Sequence, residues 1–139
     1  MRMTTKGRYA LRASIALATM CTDGKPVSIK SISEAEAISP EFLEQIFFKL
    51  RKSGLISSVR GPGGGFYFSR PLQEISLKDI VDSSGEGVDL ADCACGIGDA
   101  CTRVADCLAG RVWRDLSAHI DDYLANLSLY EIVSGRFVS

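Results

Sequence analysis

Long apolar runs are missing from this 139-residue chain. None approaches the ~18 residues of a membrane span, so no membrane segment is expected. The start, Met1-Arg2-Met3-Thr4-Thr5-Lys6-Gly7-Arg8, is basic, and no signal-peptide-like apolar stretch follows before Arg12. A cytoplasmic protein is the expectation. The chain also lacks internal repeats and a low-complexity tail. No catalytic triad or paired acid–base site stands out, so no enzyme is expected. A glycine-rich stretch is present, but no Gly-Lys-Ser/Thr follows it, which argues against a nucleotide-phosphate loop.

What is present is an ordinary globular mixture, 46% hydrophobic and 24% charged, too apolar for a disordered chain. The net charge of −1 conceals a division. Residues 1–78 carry 12 Lys/Arg against 6 Asp/Glu, whereas residues 79–139 carry 4 against 11. A basic first half suits a polyanion, usually nucleic acid. The acidic second half suits a different task.

Hydrophobic spacing predicts a helix from Lys6 to Cys21, with Tyr9, Ala13, Ala16, Leu17 and Met20 on one face. A strand stub is expected at 27–29 and a short helix from Ser31 to Ala37. Ser39 is a suitable N-cap and Pro40 a suitable first residue for the next helix, whose buried stripe is Leu43, Ile46, Phe47 and Leu50. Gly54 stops it. Its outer face carries Gln45, Lys49 and Lys52, and the two helices form a helix-turn-helix pattern. Leu55–Val59 and Phe66–Ser69 read as strands joined by the turn Arg60-Gly61-Pro62-Gly63-Gly64-Gly65. This is a β-hairpin with Arg60 and Arg70 at its bases. A tip of Gly63 and Gly64 lets backbone approach phosphates, and an arginine enters a narrow minor groove. After a helix-turn-helix, such a hairpin is a wing.

Ser76–Val81 reads as a short helix. From about Thr102, Val104, Leu108, Val112, Leu116, Ile120 and Leu124 step by four, predicting a helix of some 25 residues, about 37 Å long. Its apolar face calls for a partner surface, and a two-fold dimer is the natural one. Ser128-Leu129-Tyr130-Glu131 is a capping box for a last helix ending at Gly135.

Cys93, Cys95, Cys101 and Cys107 fall within 15 residues. In a reducing compartment such a cluster reads as a metal site rather than a disulfide framework. Cys95, Cys101 and Cys107 are separated by five-residue gaps, wider than those of zinc knuckles, which tilts the reading toward an iron–sulfur cluster. Candidate fourth ligands are Cys93, Asp92, Asp99 and Asp106. His119 lies twelve residues past Cys107, about 18 Å along a helix and too far to serve. Cys21 is expected in the core.

Together these residues resemble the IscR-type regulators, bacterial winged-helix repressors and activators that carry an iron–sulfur cluster. The resemblance runs from Thr5-Lys6-Gly7-Arg8-Tyr9-Ala10 through Phe42-Leu43-Glu44-Gln45, Leu50-Arg51-Lys52 and Ser57-Ser58-Val59-Arg60-Gly61-Pro62-Gly63-Gly64-Gly65 to Trp113-Arg114-Asp115-Leu116. It implies that Cys95, Cys101 and Cys107 are cluster ligands, with [2Fe–2S] favoured and [4Fe–4S] also open. It implies that Glu44 and Gln45 face bases in the major groove and that Arg60 reaches the minor groove. Glutamine reads adenine bidentately, and a carboxylate accepts from cytosine. The family histidine three residues after the third cysteine is replaced by Gly110. Where nitric-oxide-sensing relatives use an acidic residue of the partner's first helix, this chain offers Arg8. An exogenous thiol joins the candidates for the fourth ligand.

The expected architecture is mainly α with a small β-hairpin: a winged helix-turn-helix plus a long dimerisation helix. Residues 1–82 would bind DNA, 83–107 would hold the cluster, and 102–139 would form the dimerisation and C-terminal helices. The expected function is a homodimeric regulator that binds a double-stranded DNA operator and senses cluster status, an oxidant or nitric oxide. A direct thiol or zinc switch is one alternative. A small electron-transfer iron–sulfur protein is another, which leaves the basic half without a purpose.

Overall fold

The computed structural model describes residues 3–21, 23–85, 90 and 106–136. Helix α1 (Thr5–Met20) opens at Thr4, whose side chain accepts the Gly7 N–H at 3.1 Å. Its buried face is built from small residues, Gly7, Ala10, Ala13, Ser14 and Ala16, with Leu17. Small side chains let α2 (Ile29–Glu36) and α4 (Leu77–Ser83) approach its backbone. Helix α2 starts two residues earlier than periodicity predicts, because Ser28 caps it by accepting the Ser31 N–H at 3.1 Å. It ends at Ala37 in the left-handed conformation, φ 54°. The Ser33 hydroxyl donates to the Ile38 carbonyl at 2.6 Å and holds this turn. Arg12 donates to both the backbone carbonyl and the carboxylate of Glu36, clamping α1 onto the negative end of α2.

Helix α3 (Pro40–Lys52) starts as its sequence predicts, with Ser39 accepting the Phe42 N–H at 3.2 Å and Pro40 in the first turn. Leu43, Ile46, Phe47 and Leu50 are buried. Strands β1 (Ile56–Val59) and β2 (Gly65–Phe68) form an antiparallel hairpin in which Ser58 faces Phe66 and Val59 faces Gly65. Phe66 reaches back to Phe47, with ring centroids 5.0 Å apart. The expected stub at 27–29 reduces to one bridge: Val27 and Phe66 exchange backbone hydrogen bonds of 2.9 and 2.8 Å on the free edge of β2.

A single 3₁₀ turn (Leu72–Glu74) leads to α4, which carries a full capping box between Ser76 and Asp79. Helix α5 spans Leu108–Asn126, 19 residues or about 28 Å. The expected start near Thr102 is therefore corrected: Cys107 has extended backbone and is the N-cap. Four-residue apolar spacing carries no information about where a cap interrupts it, and Val104 lies outside the described residues. Helix α6 (Leu129–Ser134) has the expected capping box and ends at Gly135. Leu129 is buried, and its N–H donates to the Ile75 carbonyl at 2.7 Å. The chain after α5 is thereby tied back to the first lobe.

Two glycines of the wing are demanded by the fold itself. A Cβ on Gly65, at φ +155°, would stand 2.3 Å from the Val27 carbonyl oxygen, and one on Gly64 2.2 Å from that of Val59. At Gly63 there is open space. Gly65→Ala should lose about 3 kcal/mol in urea unfolding, because two hydrogen-bonded backbones must separate. Gly63→Ala should lose about 1 kcal/mol, the cost of its left-handed conformation alone.

The α6 cap gives a pH dependence. The backbone N–H and hydroxyl of Ser128 hold the Glu131 carboxyl below its usual range. A depressed carboxyl pKa stabilises the fold above its ordinary value, and that contribution disappears as pH falls through the folded-state value. Thermal unfolding of Glu131→Gln, which keeps a capping side chain, should show a shallower loss of stability between about pH 6 and about pH 3 than the parent.

Candidate nucleic-acid interface and cysteine site

Burial of Leu43, Ile46, Phe47 and Leu50 sets the rotation of α3 about its axis. Glu41, Glu44, Gln45, Phe48, Arg51 and Lys52 consequently face solvent. Among the described residues, Glu44 and Gln45 have no hydrogen-bond or ion-pair partner and stand free on the outer face. Arg51 is turned toward the wing and donates to the Ser58 hydroxyl at 3.1 Å. Arg60, exposed where β1 leaves for the turn, is also without a partner among the described residues. Arg70, at the other base of the hairpin, lies 4.0 Å from the Asp79 carboxylate. Gly63 is exposed at the tip, and Gly64 closes the turn with its N–H on the Gly61 carbonyl at 2.9 Å. The structure therefore gathers Glu44, Gln45, Arg51, Arg60, Gly63 and Gly64 onto the outer surfaces of α3 and the hairpin.

Lys49 departs from the outward orientation read from the sequence. It is half-buried, and its ammonium donates to the Ser84 carbonyl at 3.2 Å, at the C-terminal end of α4. Its Nζ lies 3.0 Å from where a Cβ of Gly85 would be. A cation at a helix C-terminus is electrostatically favourable. Lys49 thus joins α3 to the segment leading toward the cysteines. Sequence reasoning had no access to this contact, since it depends on where α4 ends in space. Phe48 was missed although a signal existed: it falls off the 43–46–47–50 stripe and is 57% exposed.

Of the clustered cysteines, Cys93, Cys95 and Cys101 lie outside the described residues, as do Asp92 and Asp99. Cys107 is half-buried, and its Sγ accepts the Gly110 N–H at 3.4 Å. A Cβ on Gly110 would stand 3.9 Å from that sulfur. Position 110 is therefore adjacent to the thiol, but glycine brings no side chain that could ligate a metal there. Among the described residues no three His, Cys, Asp or Glu side chains are grouped to hold a metal. Cys21 is half-buried at the margin of the core rather than inside it; burial pushes its thiol pKa up, and the thiol donates to the Lys25 carbonyl. His119 is exposed, with Nδ1 2.8 Å from the Asp115 carbonyl oxygen, and the Asp115 contact raises its pKa.

On α5, Leu108, Val112, Trp113, Leu116 and Tyr123 are exposed, and Gly110 and Leu124 are its buried residues. Its hold on α4 includes Lys78, placed 3.3 Å from Asp121 and 3.2 Å from Asp82. No helix among the described residues is long and apolar enough to cross a membrane.

Comparison with known proteins agrees with this geometry. The family model Rrf2, described as an iron-dependent transcriptional regulator, matches residues 3–135. The transcriptional regulator IscR of Pectobacterium carotovorum is 42% identical over 142 aligned residues, covering 99% of this chain and 82% of that protein. The solved structure of T. potens IscR superposes with a TM-score of 0.77 at 30% identity, over 97% of this chain and 88% of that one. CymR, the global cysteine regulator of B. subtilis, superposes with a TM-score of 0.80 at 25% identity, over 97% and 98%. Helix-turn-helix, hairpin and α5 are thus those of DNA-binding regulators rather than enzymes, and the chain belongs to the Rrf2 family of transcription regulators, to whose IscR members it is similar over nearly its whole length.

Proposed function

We propose that this chain is a homodimeric, cytoplasmic regulator whose grip on a double-stranded operator is set by an iron–sulfur cluster held by Cys95, Cys101 and Cys107. The observation that carries the reading is the position of Lys49. Lys49 sits on the helix that presents Glu44 and Gln45, and its ammonium reaches the Ser84 carbonyl, from which the chain continues toward the cysteines. The far end of that stretch is Cys107, the N-cap of α5. A change around the cysteines therefore acts on a segment bounded by α3 contacts at one end and by α5 at the other.

The donor chemistry fits the group. Three thiols suit iron–sulfur ligation, and the iron-dependent description of the family model and the likeness to IscR support it. Gly110 supplies no atom, so the fourth ligand is Cys93, an aspartate or an exogenous thiol. We favour [2Fe–2S], with [4Fe–4S] as the other assignment. When bound, the cluster supplies a redox- and iron-sensitive occupancy. The protein's part is to hold it beside α5 and to transmit its presence through Lys49.

In this reading residues 1–82 bind DNA, 83–107 form the sensor and 102–139 form the dimerisation unit. The exposed apolar stripe of α5 is the surface that a second copy covers. Gln45 and Glu44 read bases, Arg51 braces the wing, Arg60 enters the minor groove, and the backbone at Gly63 and Gly64 lies along phosphates.

Anaerobically purified protein should contain iron and acid-labile sulfide. Cys107→Ser should lose both while α5 persists, since serine is a good N-cap. An iron-free parent, or a Cys107→Ser protein with undiminished iron, contradicts the ligand assignment; zinc in place of iron supports a zinc switch. On duplexes selected from a randomised pool, loaded and cluster-free protein should differ in affinity by about tenfold. Lys49→Met should retain iron but bring that ratio close to one.

On the same duplexes Gln45→Ala should weaken binding by about 1–3 kcal/mol and relax selectivity at one position. Arg60→Ala should lower the slope of log affinity against log salt by about 1. Titrations at several salt concentrations separate the two effects.

A further inference from the structure

The outer face of α3 carries an apolar residue to which the reading above gives no task. Phe48 is 57% exposed on a helix whose core side is already complete with Leu43, Ile46, Phe47 and Leu50. It adds little to the fold, and phenylalanine is only a middling helix former, so helix stability does not explain its presence. It stands one turn beyond Glu44 and Gln45 on the same ridge, and together with Lys6, Glu41 and Lys49 these residues line an open concavity.

Resting on the assignment of this face to the major groove, we infer that Phe48 is a specificity-determining residue that packs against the C5-methyl group of a thymine. A phenylalanine side chain has no hydrogen-bonding group to offer a base edge. The one apolar feature of the major groove is the thymine methyl. One helical turn advances 5.4 Å, so the thymine lies about one or two base pairs from the base that Gln45 reads. The surroundings favour DNA over a protein partner. Phe48 shares its concavity with polar residues, Lys6, Glu41, Glu44, Gln45 and Lys49, whereas the contiguous apolar surface that a second copy needs is on α5.

The test replaces each thymine of a selected half-site, one at a time, with deoxyuridine, which deletes the methyl and leaves every hydrogen-bonding atom in place. One substitution per half-site should weaken the parent protein about fourfold, the value of one buried methyl. Phe48→Ala should bind the normal duplex about fourfold more weakly and be indifferent to that same substitution. Phe48→Leu, which stays apolar, should retain part of the sensitivity, and circular dichroism of both variants reports folding. The inference is overturned if no deoxyuridine position weakens the parent, or if the loss is the same in the parent and both variants. If Gln45→Ala and Arg60→Ala also leave binding unchanged, the whole interface is wrongly placed; if they weaken it, only the role of Phe48 fails.

Discussion

The structure depends on the burial of one stripe of α3. Phe47 and Leu43 are fully enclosed and Ile46 and Leu50 nearly so. Each such side chain is worth about 1.5–3 kcal/mol removed from water. Rotating the helix by a single residue would bring polar neighbours such as Glu44 toward the core, at a cost that no surface contact could offset. The stripe therefore dictates which residues face outward. It also locates the wing, because Phe47 packs on Phe66 and the Leu55 N–H returns to the Leu50 carbonyl at 3.1 Å. Across this junction Arg51 of α3 donates to the Ser58 hydroxyl of the hairpin.

Much of this was legible in the sequence because it rests on local chemistry. Ser39-Pro40 marks the start of α3, the four-residue apolar spacing marks its buried side, and the run of glycines marks the hairpin turn. Caps written in less familiar residues were harder to see. Cys107 caps α5, yet the apolar spacing of 104, 108 and 112 runs through it unchanged. Contacts between distant segments were not legible. The pairing of Val27 with Phe66 gives Gly65 a steric reason to be glycine, in addition to any approach to phosphate. Lys49 looked like one more outward cation until the end of α4 was seen beside it. Of the cysteines expected as ligands, Cys107 falls within the described residues, where it caps α5.

The two halves of the chain divide the physical work. The basic half builds a small core around α1 and α3 and exposes Glu44, Gln45 and Arg60, which have no partners among the described residues. The acidic half extends α5, whose apolar side chains are left in water by a single chain, and returns through α6 to the first lobe. Arg12 on Glu36 and Lys49 on Ser84 are cations placed at helix C-termini, where the backbone dipole favours them. Such contacts are modest in energy and can be remade. The backbone at Gly110 stands next to the Cys107 thiol, and a glycine there offers no side chain to a metal.

The most direct measurement is a crystal structure of the protein bound to a selected duplex. The account predicts the N-terminal half of α3 in the major groove, with Glu44 and Gln45 within hydrogen-bonding distance of base edges and Arg60 in the adjacent minor groove. A complex in which the outer face of α3 points to solvent, with another surface against the duplex, would contradict it.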